Sequence, residues 1–282
     1  MSRMLEALKQ IEARSPQPRP VVKPVSPEEL ESFGLRQPAE PAQSAVLREQ
    51  TQEPPAGTMA QQTAPEVVPA AEPDRDAGRV STPLAEPHRE AYWELADSIL
   101  GQLSPVRPAV LLFTSAGDGE GKTCTLASLS AVLAEKLDDE VVAVDANFRS
   151  PSLASHFGIW ADRGLVDVLA GGTAWHEAIR KTGRQGLSVL PGGRFPTADR
   201  SPPADLRLSP VLDALRNRYR LVLVDAASLL YPEVAPLSKW CEGTYLVVRL
   251  GRTLRGAARQ AVRVIEQSNG RVLGCVLTDV PA

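Results

Sequence analysis

The chain has 282 residues, 31 Lys and Arg against 34 Asp and Glu, and a formal net charge of −3. A balance so close to neutral argues against a dedicated nucleic-acid binder, and the length admits one large domain or two small ones. No apolar run approaches the ~20 residues that cross a bilayer and no hydrophobic signal core opens the sequence, so a cytoplasmic location is expected.

In the first fifteen residues Met4, Leu5, Leu8 and Ile11 fall at helical spacing, while Arg3, Glu6, Lys9, Glu12 and Arg14 face the other way. The pattern predicts a short amphipathic helix over residues 1–15. It is too short to hold in water alone, so it is expected to dock on a partner groove or on its own domain. Residues 16–87 follow with all 14 of the prolines that precede Arg89, out of 25 in the chain, mixed with Ala, Gln and Glu. Such a stretch buries too little apolar surface to offset the entropy of ordering it, and a disordered linker is expected. Residues 88–282 remain, enough for one well-cored domain.

That domain opens its chemistry with Val110-Leu-Leu-Phe-Thr-Ser-Ala-Gly-Asp-Gly-Glu-Gly-Lys-Thr-Cys-Thr125, read as a buried strand, a glycine-rich loop and the first turn of a helix. Gly117, Gly119 and Gly121 let successive backbone N–H groups, those of Glu120 and Cys124 among them, turn toward one point at a helix N-terminus. Lys122 then reaches the outer phosphates of a nucleotide, and the Thr123 hydroxyl can hold Mg²⁺. The expected occupant is a nucleoside triphosphate. Cys124 itself is expected to be a small buried filler, and three cysteines without metal-ligand spacing suit a reduced compartment. His88, His156 and His176 need no function.

Downstream, residues 125–136 carry Leu126, Leu129, Val132 and Leu133 on one helical stripe. Apolar runs at residues 140–145, 187–190, 221–225, 244–248 and 271–277 alternate with helical patterns at 210–219 and 254–267. Continuous apolar strands are buried on both faces, and their alternation with helices predicts an α/β fold with a parallel-rich, doubly wound sheet. Ligands in such sheets sit at the carboxyl ends of strands, where the loop, Asp145 and Asp225 fall together. Asp225 is expected to hold the water shell of Mg²⁺, and Asp145 to lie near the terminal phosphate.

The loop Thr114-Ser-Ala-Gly-Asp-Gly-Glu-Gly-Lys-Thr123, the segment Val141-Val-Ala-Val-Asp-Ala-Asn-Phe-Arg-Ser-Pro-Ser-Leu153, His156-Phe-Gly158, Gly164-Leu-Val-Asp-Val-Leu-Ala-Gly171, Leu190-Pro-Gly-Gly193 and Glu90-Ala-Tyr92 together resemble the bacterial tyrosine kinases that regulate capsule and exopolysaccharide export. These belong with the Mrp, MinD and ParA type ATPases. The resemblance spans about residues 89–279 and implies a P-loop NTPase fold, ATP and Mg²⁺ as ligands, and a membrane partner in a polysaccharide export system. It also implies a possible homodimer or oligomer and recruitment to the inner face of the membrane. By position it makes Lys122 and Thr123 the phosphate and Mg²⁺ ligands, Asp145 the base for an incoming hydroxyl, Asp225 the support of the metal, and Arg149 a neighbour of the active site.

The sequence departs from that pattern in places. Asn147 stands for the second aspartate of the acidic motif, Ala226-Ala227 for Thr-Pro-Pro, Pro202 for an asparagine, and Thr278 for an asparagine after the last strand. Trp93 and Ala96 replace two arginines linked to ring assembly, and the last residues, 278–282, hold no tyrosine cluster. Tyr92, Tyr219, Tyr231 and Tyr245 are expected to be structural, with no evident acceptor among them. The leading expectation is an ATPase or kinase-like phosphotransferase. The alternatives are a full kinase acting on a separate substrate, a nucleotide-stabilised pseudokinase scaffold, and a positioning ATPase. Against the last, the loop lacks the lysine such ATPases carry near its start.

Overall fold

The computed structural model describes residues 24–25, 86–137, 140–193 and 208–278. The expected helix at residues 1–15, most of the expected linker and Pro202 lie outside these.

The elements run in chain order as β1 (Pro24–Val25), α1 (Glu86–Gln102), β2 (Ala109–Ser115), α2 (Lys122–Leu137), β3 (Val141–Ala146), a 3₁₀ turn (Ala154–Phe157), α3 (Leu165–Leu169), α4 (Trp175–Ala178), β4 (Arg180–Lys181), β5 (Leu187–Leu190), α5 (Ser209–Arg216), β6 (Leu221–Ala226), a second 3₁₀ turn (Ala235–Trp240), β7 (Gly243–Arg249), α6 (Arg255–Gln267) and β8 (Val272–Thr278). They form one sheet in the order β1-β8-β7-β2-β6-β3-β5-β4. The six inner strands are parallel, and the two-residue edges β1 and β4 pair antiparallel. The expected parallel-rich α/β fold is the one observed, with strand limits within two residues of those read from the apolar runs.

Pro24–Val25, inside the stretch read as a linker, pairs with Val276 and Cys275 on β8, and α1 begins at Glu86. The proline content that marks the stretch as unstructured does not forbid an edge strand, where a missing N–H costs no ladder bond.

Both faces of the sheet are covered. Leu111, Phe113, Val141, Ala143, Leu221, Leu223, Tyr245 and Val247 pack under α1 and α2. On the other face Val110, Leu112, Val142, Val144, Val222 and Val224 pack under α3 and α5, and Leu246, Val248, Cys275 and Leu277 under α6. Two buried layers explain why the strands read as unbroken apolar runs. Phe113 and Tyr245 stack across β2 and β7 with ring centroids 5.4 Å apart. Helix α1 docks through Tyr92, Leu95, Ala96 and Ile99, all buried, and Trp93 carries the Lys136 ammonium 4.2 Å above its ring. No helix among the described residues is long and apolar enough to cross a membrane.

Strands β2 and β6 are neighbours whose onward connections leave in opposite directions, β2 toward β3 and β6 toward β7. Their carboxyl ends therefore diverge into a crevice, the position at which open α/β sheets take ligands.

Candidate functional site

Strand β2 ends at Ser115 and α2 begins at Lys122, so residues 116–121 form the loop over that crevice. Gly119 and Gly121 have φ of +72° and +90°, a region side chains avoid. The Thr125 N–H donates to the Gly121 carbonyl at 2.9 Å, which closes the first helical turn.

Three anchors hold the loop from outside. The Glu120 side chain is buried and its Oε1 accepts the Thr253 hydroxyl at 2.7 Å, while the Glu120 carbonyl accepts the Thr278 hydroxyl at 2.9 Å. Arg249 Nη1 donates to the Gly119 carbonyl at 3.2 Å. Burial raises the Glu120 carboxyl above its ordinary range, with the Thr253 hydrogen bond opposing.

Lys122 lies beneath the loop, 6% exposed, its Nζ donating to Ser115 Oγ at 2.9 Å. Burial lowers its pKa, and Asp225, Asp118 and Glu120 pull it back up. Thr123 Oγ1 donates to Asp225 Oδ2 at 2.6 Å, joining α2 to the end of β6. Asp145 and Asp225 are register partners on β3 and β6. Asp145 Oδ1 accepts the Asn147 N–H at 3.1 Å and its Oδ2 the Leu153 N–H at 3.0 Å. Burial is the main reason both acids titrate high, Asp145 at about 6 and Asp225 at about 8, and the neighbouring Asp145 adds to the second.

A cavity of about 500 Å³ opens beside the loop, lined by Asp118, Gly119, Gly121, Lys122, Thr123, Cys124, Asn147, Arg149, Ser150, Ser152, His156 and Tyr231. Lys122, Thr123, Cys124 and Arg149 from the expected set face it together. Asp145 and Asp225 do not line it, and Asp145 has each carboxylate oxygen already engaged by a backbone N–H. One expectation about the rim fails. Cys124 is exposed rather than a buried filler, its Sγ 4.0 Å from His156 Nε2, because α2 has only begun at this residue and its side chain points to the cavity instead of the sheet. Tyr231 does not share the apolar burial of Tyr92, Tyr219 and Tyr245 but reaches the same cavity.

Tyr231 belongs to a network the sequence reading missed. Its hydroxyl donates to Asp118 Oδ2 at 3.0 Å, and Ser228 Oγ donates to Asp118 Oδ1 at 2.7 Å. The Arg149 guanidinium sits 4.4 Å from the Tyr231 ring centre and pairs with Glu233 Oε1 at 2.8 Å. Nothing in local pattern signals these contacts, because Asp118 and Ser228 are 110 positions apart. Ser228, Tyr231 and Glu233, spaced close behind the acidic end of β6, were the available cue.

The donor set suits Mg²⁺. Thr123 Oγ1 and Asp225 are hard oxygen ligands in contact, and the buried Asp225 Oδ1 has no hydrogen-bond partner. Such an ion is held by one or two protein oxygens with waters and substrate phosphates supplying the rest.

No protein-family profile matches the chain. The tyrosine-protein kinase CpsD of Streptococcus agalactiae is 27% identical over 181 residues, 64% of this chain and 79% of that protein. The tyrosine-protein kinase YwqD of Bacillus subtilis is 27% identical over 172 residues, 59% of this chain and 70% of that one. Escherichia coli tyrosine-protein kinase etk is 27% identical over 196 residues, which are 68% of this chain and 26% of that longer protein. Among solved structures, the kinase domain of Escherichia coli tyrosine kinase ETK superposes with a TM-score of 0.62 at 26% identity, covering 67% of this chain and 74% of that one. The septum site-determining protein MinD of Pyrococcus horikoshii, complexed with Mg-ADP, gives 0.53 at 25% identity over 60% and 69%. The relatives of this chain are bacterial tyrosine-protein kinases, and the MinD likeness is that of a related fold.

Proposed function

We propose that this chain binds Mg·ATP at residues 114–123 and transfers or releases the terminal phosphoryl group, as a tyrosine-kinase-like phosphotransferase or ATPase serving capsule or exopolysaccharide production. The observation that carries this reading is the joined set Ser115–Lys122 and Thr123–Asp225 at the mouth of a polar cavity. Phosphoryl transfer asks mainly for positioning and charge neutralisation. In this role the Lys122 ammonium leaves Ser115 Oγ for the outer phosphate oxygens, loop N–H groups hold the others, and Thr123 and Asp225 hold Mg²⁺. The ion, when bound, neutralises charge on the phosphates. Thr278, in contact with the Glu120 carbonyl, fixes the loop.

As the resemblance of its motifs to the capsule-regulating kinases implies, the chain works with a membrane protein of a polysaccharide export system. Recruitment to the inner membrane face, docking of residues 1–15 on that partner and self-association belong to the same proposal.

A second reading, a nucleotide-stabilised scaffold, is favoured by two features: Asn147 puts a neutral amide on the cavity wall, and both Asp145 oxygens are occupied by backbone. The two readings separate in one experiment. Purified protein with Mg²⁺ and γ-labelled ATP is assayed for released phosphate and protein-bound label, beside Lys122→Ala. Signal that falls at least about 100-fold in the variant supports turnover at this loop. A melting temperature raised by Mg·ATP with neither signal makes the chain a scaffold, and no thermal shift removes both readings.

A further inference from the structure

We propose that Tyr231 is a phosphoryl acceptor within this chain and that the Asp118 carboxylate takes its proton. The inference rests on the Mg·ATP reading above. Of the four tyrosines, Tyr92, Tyr219 and Tyr245 are at most 7% exposed. Tyr231 alone lines the cavity that Lys122 and Thr123 line. Its hydroxyl is 3.0 Å from Asp118 Oδ2, inside the reach a general base requires.

The carboxylate is aimed. Ser228, fully buried, donates to Oδ1 and leaves Oδ2 directed at the phenol. Asp118 is part of the phosphate-binding loop, so the base and the phosphates of a bound nucleotide are fixed to one rigid turn. Asp145, expected from the sequence to serve as base, is 1% exposed, has both oxygens engaged by backbone N–H groups and does not face the cavity.

In the step itself the Tyr231 oxygen attacks the γ-phosphorus and a new O–P bond forms. The bond from the γ-phosphorus to its bridging oxygen breaks, ADP leaves with that electron pair, and the phenolic proton passes to Asp118. Arg149, whose guanidinium already lies over the Tyr231 ring, meets the new phosphate dianion as a charge-assisted donor. Its pairing with Glu233 keeps it in place until then.

The test incubates the full chain with Mg²⁺ and γ-labelled ATP at several protein concentrations and maps the label by mass spectrometry. Trypsin releases residues 221–239, in which Tyr231 is the single tyrosine. The expected result is phosphate on Tyr231, formed at a first-order rate that does not change with protein concentration and absent from Tyr231→Phe. Asp118→Asn, which keeps the size and the acceptor oxygen, is expected to slow labelling at least about 100-fold. A wild-type melting temperature raised by Mg·ATP without label on this peptide overturns the inference and leaves the nucleotide reading standing. No thermal shift and no label overturns both. Label on Ser228, or a rate that rises with protein concentration, overturns the assignment of Tyr231 as an acceptor within its own chain. An unchanged rate in Asp118→Asn overturns the role of the carboxylate.

Discussion

Two aspartates on adjacent strands are buried against the charge they would carry. Asp145 and Asp225 are buried and titrate near 6 and 8. An acid whose pKa is raised on folding keeps protons that the unfolded chain has released, so the metal-free fold loses stability as pH rises from about 4 through 6 to 8. Asp225→Asn removes one ionisation while keeping an acceptor for Thr123. In the presence of a chelator this variant is expected to be more stable than wild type above pH 8, by several kcal/mol, with a flatter dependence below. Urea titrations at several pH values check this, and parallel curves for the two proteins would refute it. Much of the site was legible at this scale, because Lys122, Thr123 and the strand-end aspartates announce themselves by spacing. The Asp118–Tyr231–Arg149 network was not, since it depends on how the segment after β6 folds back over the loop. The exposure of Cys124 likewise turns on where α2 begins.

Among the elements, α3 shows a close approach that apolar patterning does not encode. Its N–H groups at Leu165 and Val166 donate to the Pro191 and Gly192 carbonyls at 2.7 and 3.0 Å, drawing the helix start against the chain leaving β5. A Cβ on Gly164 would lie 2.3 Å from the Pro191 oxygen and 2.4 Å from the Gly193 nitrogen, both backbone atoms. Gly164→Ala is therefore expected to cost about 2 to 3 kcal/mol by forcing the two segments apart. A denaturation midpoint within error of wild type would contradict it. The inner strands and long helices were readable because two buried faces leave continuous apolar runs and a 3.6-residue stripe. The two-residue edges β1 and β4 carry no period to read, and only pairing to a neighbour makes them strands.

For the molecule as a whole, β1 contributes one short antiparallel pairing to the β8 edge, and Pro24 has no N–H to give. A chain starting at Val80 is expected to lose no more than about 2 kcal/mol and to keep its response to Mg·ATP. Loss of cooperative unfolding in that truncation would show that the first 79 residues are integral to the fold. The sheet raises a further question of alignment. Strands β3 and β6 read VVAVDA and LVLVDA, and both faces of each are apolar environments. Sliding either strand by one residue would leave its aliphatic side chains in equally oily surroundings, so greasiness alone sets no position for it. Asp145 and Asp225 do, because a slip would drive a carboxylate from the crevice into the layer under α3 and α5. The residues placed for chemistry thus act as alignment marks for the two strands that carry them, and a neutral substitution there removes a safeguard against mispaired strands along with a charge.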